Sequence, residues 1–181
     1  MLRGEKTIVR AILRADLPAV LAGFNEEEVM HRFGPHFPYG EAYWESFLEN
    51  IARSERDKAF VVCDKVHRKV IGLIQLHSIH ARNRTADVFI NMFAPEFTGD
   101  EYEADALRVI LRYLFEQLNF HRISTWLHED NERAIRIGES VGFVREALLL
   151  EENFRDGHFT NAYIMRCLIS EFRAKEASRA S

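Results

Sequence analysis

Four carboxylates, Asp100, Glu101, Glu103 and Asp105, fall where an apolar run ending at Phe93 gives way, through Ala94-Pro95-Glu96-Phe97-Thr98-Gly99, to a strongly amphipathic segment. The first turn of a helix presents unpaired N–H groups at the positive end of its dipole, so a strand-to-helix junction favours an anion. Here the chain either fills that site with its own side chains or sets two carboxylates against any phosphate brought to it. Like charges 4 Å apart repel by about 1 kcal/mol in water and about 4 at an effective dielectric of 20. Further along, His128 ends an apolar run; it can relay a proton near neutral pH, and a lone histidine at a strand end also serves packing. Asn131 precedes a periodic segment and fits a helix N-cap. Asp87 lies in a strand-like run close to Arg82 and Arg84, which suits a paired surface carboxylate. His31, His36, His77 and His80 sit on separate elements without compact ligand spacing, and no cysteine joins them, so no metal is expected.

The elements that must position these residues follow from periodicity. Thr7–Leu13 reads as a strand, followed by a helix that Asp16 caps and Pro18 opens. A second short helix is expected over Glu26–Phe33, then a breaker-rich loop through Gly40. Tyr43, Trp44, Phe47, Leu48 and Ile51 share one helical face over Glu41–Arg53. Lys58–Asp64, Val70–Ser78 and Thr85–Phe93 form a strand meander. Helix Glu101–Leu118, strand Arg122–His128, helix Asn131–Val141 and strands Val144–Leu150 and Asn161–Cys167 complete the chain. The tail from Arg173 to Ser181 is small and polar and reads as a frayed helix or as disorder. The order describes an α/β fold of α+β type, a mixed sheet of six to seven strands flanked by helices.

At 181 residues, 47% hydrophobic, the chain suits one domain, over residues 1–172. A formal charge of -4 and a pI near 6.1 favour neutral or cationic partners, with neither nucleic acid nor membrane expected. Cys63 and Cys167 lie in apolar strand-like runs, as core residues of a protein in a reducing cytoplasm do, and the N-terminus lacks the apolar core of a leader.

Several fragments carry a family resemblance in their order and spacing: Ala94-Pro95-Glu96-Phe97, Leu118-Asn119-Phe120-His121-Arg122-Ile123, Asn131-Glu132-Arg133-Ala134-Ile135-Arg136, Gly142-Phe143, and Asn153-Phe154-Arg155-Asp156-Gly157-His158-Phe159. On these the chain resembles the GNAT superfamily of acyltransferases, most of all the branch holding ribosomal-protein N-terminal and spermidine acetyltransferases. The resemblance implies that a bulge splays Thr85–Phe93 from Arg122–His128 and that the pantetheine arm of acetyl-CoA fills the gap, bound by backbone at Asn91, Met92 and Phe93. It places the pyrophosphate at Thr98, Gly99, Asp100, Tyr102 and Ala104, and lets Asn131 and Ala134 hold the arm or an ordered water. Asp87 would hold or deprotonate an amine, with His128 and Asn131 completing the catalytic candidates. The implied reaction is direct acetyl transfer to a primary amine of a small molecule or a protein N-terminus. Phe33, Phe37, Tyr39, Tyr43 and Trp44 would build the acceptor pocket, and Val144–Leu150 would support a homodimer.

This chain departs from the family pattern at four positions. Glu101 and Glu103 replace phosphate-loop small residues, Gly138 stands where many members carry a tyrosine acid, and Asn161 stands for a common aspartate. Two other readings therefore stay open: a GNAT fold that no longer binds CoA and acts as a binding module, or an acyltransferase fed by a carrier protein.

Overall fold

The runs Val61–Cys63 and Ile71–Ile74 are buried on both sides, which requires a sheet covered on two faces. The structure, a computed structural model, describes residues 1–27, 29–30, 38–97, 99–155 and 157–180. Its strands are β1 (Leu2–Arg3), β2 (Thr7–Ala11), β3 (Lys58–Asp64), β4 (Val70–His80), β5 (Thr85–Met92), β6 (Arg122–His128), β7 (Val144–Arg155) and β8 (His158–Leu168). They form one sheet in the order β1-β2-β3-β4-β5-β6-β8-β7, with β5–β6 parallel and every other pair antiparallel. Among the described residues the helices are α1 (Leu17–Phe24), α2 (Glu41–Arg53), α3 (Asp100–Arg112), α4 (Glu132–Ser140) and α5 (Ile169–Ala180), with a π-helical turn at Tyr113–Gln117 extending α3.

Side chains alternate across the sheet, so each strand feeds two cores. On one face Val61, Leu73 and Phe93 pack with Val20, Phe24 and Trp44 of α1 and α2. On the other, Ile74, Val88 and Met92 meet Leu107, Ile110 and Leu111 of α3 and Phe172 of α5.

The eighth strand, β1, pairs only Leu2 with Val9 and Arg3 with Ile8, too short to show as a period. The C-terminal segment takes the helical one of its two expected forms, as α5, which starts before the tail at Ile169 and is anchored by Phe172 at 1% exposure. β7 and β8 run longer than their apolar cores suggest. Arg155 of β7 pairs with His158 of β8, and Gly157 just before β8 has φ of 83°, in the left-handed region that favours glycine. Asp16 does not cap α1 with its side chain. Its carboxylate is taken instead by Arg10, in two bonds of 2.7 Å, and by the Leu13 N–H at 2.8 Å. The expected helix over Glu26–Phe33, with Phe33 and Phe37, lies largely outside the described residues.

Candidate active site

The β5–β6 ladder pairs Thr85 with Arg122, Ala86 with Ile123 and Asp87 with Ser124, and then stops. Beyond that point β5 stays paired to β4 as far as Met92, and β6 stays paired to β8 as far as His128. The two strand edges therefore face one another without pairing to each other, and a cavity of about 280 Å³ opens between Val88–Met92 and Thr125–His128. The expected bulge is not within this stretch: the β4–β5 register is continuous from Asp87 to Met92, and its irregularity lies at His77–His80.

Register sorts the walls of the cleft. Asp87, Phe89 and Asn91 share the face of Ser124, Trp126 and His128, whereas Val88, Ile90, Thr125 and Leu127 point toward α3 and α4. The first face is covered by α1 on β4 and by α2 on β3, which leaves the β5–β6 junction open. There Phe89 and Trp126 stack with centroids 5.8 Å apart and planes 7° from parallel. The cleft thus passes through the sheet, from the α3–α4 side to an aromatic mouth.

Of the residues singled out from sequence, Asn91, Met92, His128, Asn131 and Ala134 come together on this cleft. Asn131 caps α4, its Oδ1 accepting from the Ala134 N–H at 3.1 Å, so the capping and cleft-lining roles coincide. His128 Nδ1 is buried and has no hydrogen-bond partner among the described residues. Asp87 lies at the closed end, where the ladder stops. Burial pushes its carboxyl above the ordinary carboxylate value, against the Ser78 hydroxyl and the charges of His77 and Arg122. The Arg82 or Arg84 partnership expected for it is not formed; Arg84 reaches Asn119 instead, at 3.4 Å.

Phe93 does not join them. Its ring packs against Phe24 and its N–H is donated to the Ile71 carbonyl at 3.0 Å, so that amide is spent on the sheet. Gly99 is the N-cap of α3, and the Tyr102 ring turns to Phe97 and lies under the Lys6 ammonium, away from the cleft. Ala104 is buried on the opposite flank of α3, in a groove with Arg108 and Arg136. Thr98 lies outside the described residues. Trp44, proposed for an acceptor pocket, is 2% exposed and belongs to the core with Phe24, while Tyr39 and Tyr43 stack at 4.1 Å.

The four carboxylates of α3 do three jobs. Glu101 points outward and pairs with Lys6 at 2.8 Å. Asp100 and Glu103 share Arg133, at 2.9 and 3.0 Å, with Glu103 largely buried. Asp105 accepts from the N–H groups of Glu5, Lys6 and Thr7 and from the Thr7 hydroxyl, at 2.7 to 3.0 Å. Charge repulsion at this helix start is thus largely offset by cations distant in sequence. Gly138 borders the cleft, and a Cβ there would make only ordinary contact with Phe143 and Met165, at 3.6 and 3.7 Å. Asn161 is a bridge between strands rather than a cation site: it accepts from the Glu151 N–H at 2.9 Å and donates to Glu129 at 3.0 Å. Arg133, Trp126, Phe89 and Asn153 line the cleft without having been singled out from sequence. The unusual run of acids was the available signal for Arg133, since buried carboxylates require a partner. Among the described residues, no three His, Cys, Asp or Glu side chains are grouped to hold a metal.

A mixed sheet that parts at its one parallel pair, with two helix N-termini at the gap, is the architecture of an acyl-transfer fold. The acetyltransferase (GNAT) domain pattern matches residues 6–144, and the chain belongs to that family of acetyltransferases. The spermidine N(1)-acetyltransferase of Vibrio cholerae is 29% identical over 166 residues, covering 91% of this chain and 94% of that protein. That of Escherichia coli K12 is 29% identical over 160 residues, covering 87% and 83%. A crystal structure of the Vibrio cholerae spermidine N-acetyltransferase with CoA and spermine superposes with a TM-score of 0.84 at 28% identity, over 93% of this chain and 98% of that one.

Proposed function

We propose that this acetyltransferase uses acetyl-CoA to acetylate a primary amine on a small, cationic, polyamine-like molecule by direct transfer. The observation that carries the reading is the through-sheet cleft, since a donor on the α3–α4 side and an amine on the aromatic side can meet in it. The names of the relatives support the amine class. When bound, acetyl-CoA supplies the thioester carbon at which a C–N bond forms as the C–S bond breaks. The unpaired edge of β5 offers N–H groups that can orient the acyl arm, and Asn131 adds a side-chain amide beside it.

On the other side, Phe89 and Trp126 present aromatic faces that suit an alkylammonium. Asp87, half-buried at the end of the ladder, is the group to draw the proton from the attacking nitrogen, because its raised pKa brings it closer to the working pH. His128, with its unpartnered Nδ1, is placed to return a proton toward the departing thiolate. Gly138 contributes no acid, so that duty falls to His128 or to water. The two thiols, Cys63 and Cys167, are buried and unpaired, the latter pushed up to about 12 by burial, which supports a cytoplasmic setting.

The test is acetyl-CoA turnover measured with spermidine, spermine, a monoamine and a short peptide with a free N-terminus. Transfer to the polyamines with acetyl-CoA consumption is expected. Transfer to the peptide alone would overturn the small-molecule acceptor, and silence with every amine would overturn the reading as a whole.

A further inference from the structure

Among the described residues that line the cleft, Arg133 is the one side chain with a permanent positive charge and Glu103 the one carboxylate. They face each other across the mouth. Arg133, the second residue of α4, places Nη1 3.0 Å from Glu103 Oε2 and Nε 2.9 Å from Asp100 Oδ1, bridging the first turns of α3 and α4. A guanidinium offers its donors as a planar fork that fits two phosphate oxygens as well as two carboxylate oxygens. Asp100 and Glu103 differ in how readily they yield to an incoming ligand. The Asp100 side chain is 62% exposed and regains water on release, while that of Glu103 is 9% exposed and keeps the arginine anchored.

We propose that Arg133 is the receptor for the diphosphate of the donor, and that Glu103 is a resident competitor whose charge sets donor affinity. A diphosphate arriving at the mouth takes the face of the guanidinium now turned to Asp100 and must share the rest with Glu103. This places on one side chain the task that unpaired loop amides perform in a glycine-rich phosphate site. The inference rests on the reading of acetyl-CoA as donor.

The experiment is calorimetric titration of the full chain, Glu103→Gln, and the double variant Glu103→Gln with Arg133→Met, each against three probes. Acetyl-CoA carries arm and diphosphate, acetyl-pantetheine the arm alone, and ADP a diphosphate alone. Glutamine keeps the volume and one hydrogen bond of Glu103, and the double variant leaves no buried carboxylate unpaired, so both are expected to fold. Charge-assisted hydrogen bonds of this kind correspond to about 10- to 100-fold in affinity. Glu103→Gln should bind acetyl-CoA and ADP tighter by about that factor with acetyl-pantetheine unchanged, and the double variant should lose the gain. Equal acetyl-CoA affinity in all three proteins overturns the proposal and leaves the donor reading standing. If acetyl-CoA binds no tighter than ADP and acetyl-pantetheine not at all, while both nucleotide affinities still follow residues 103 and 133, the donor reading falls and the anion receptor stands. ADP and acetyl-CoA affinities both indifferent to these residues overturn the receptor outright.

Discussion

Asp87 is the proposed base, and its environment makes a signed prediction. Burial raises its pKa above the ordinary 3.8, so over that interval the native state holds the proton more tightly than the unfolded chain. Its contribution to stability is therefore full below about pH 3.8 and lost as pH rises through the raised folded value. Activity should run the other way, because the proposed base must be ionised. The acid limb of kcat/KM should sit above the usual carboxylate range. Asp87→Asn should remove that limb and lower kcat by about 100- to 10,000-fold, with acetyl-CoA affinity unchanged. A limb that survives the substitution would assign the proton to another group. The stability half is read from urea midpoints, where Asp87→Asn should flatten the decline of the parent protein above pH 3.8.

At the scale of elements, α3 is held to the sheet edge by Asp105. Burial alone would raise this carboxyl, but the bonds from Thr7, Glu5 and Lys6 outweigh it and hold the pKa below 3.8. A lowered folded pKa means stability present above the unfolded value and lost as pH falls through the folded one. Asp105→Asn leaves amide hydrogens facing backbone donors, and should cost about 2–4 kcal/mol at pH 7 by chemical denaturation. Near pH 3 the gap between variant and parent should narrow; a constant gap would mean the carboxylate charge plays no part. The α3 pattern also shows what a sequence can and cannot disclose. Its amphipathic period, the β3–β4–β5 meander and the Asn131 cap were legible because each depends on residues close along the chain. The partners of Glu101 and Glu103 were not, since Lys6 and Arg133 come together with them only after the sheet forms. The parting of β5 from β6 was legible only through family likeness: nothing in the composition of Val88–Met92 or Thr125–His128 distinguishes a paired edge from an open one. Phe93 was carried to the cleft by family likeness as a backbone contact, whereas its N–H is donated to Ile71 and its ring packs against Phe24 of α1.

For the molecule as a whole, the sheet ends at β7, twelve residues long, whose outer edge has no strand beside it among the described residues. Such an edge is a template for pairing unless it is short, charged or covered. Here Leu148, Leu150, Phe154 and Phe159 are 43%, 73%, 57% and 61% exposed, and Phe154 and Phe159 pack edge to face at 5.2 Å. Of the charges on this strand, Glu146 is engaged by Arg122 and Arg166, while Glu151 and Glu152 stand exposed beside Leu150. A second copy meeting this edge about a two-fold axis would cover the same residues on both chains, the geometry of a closed dimer. Asn153, on this strand, lines the cleft, so pairing there would also steady one wall of the site. Light scattering should give twice the 21.1 kDa of one chain, and Leu150→Lys with Phe159→Lys should return the mass of a single chain without lowering the melting temperature of the fold at low concentration. A monomeric parent protein would instead leave this apolar edge open to some other partner, and the double variant would then change solubility but not mass.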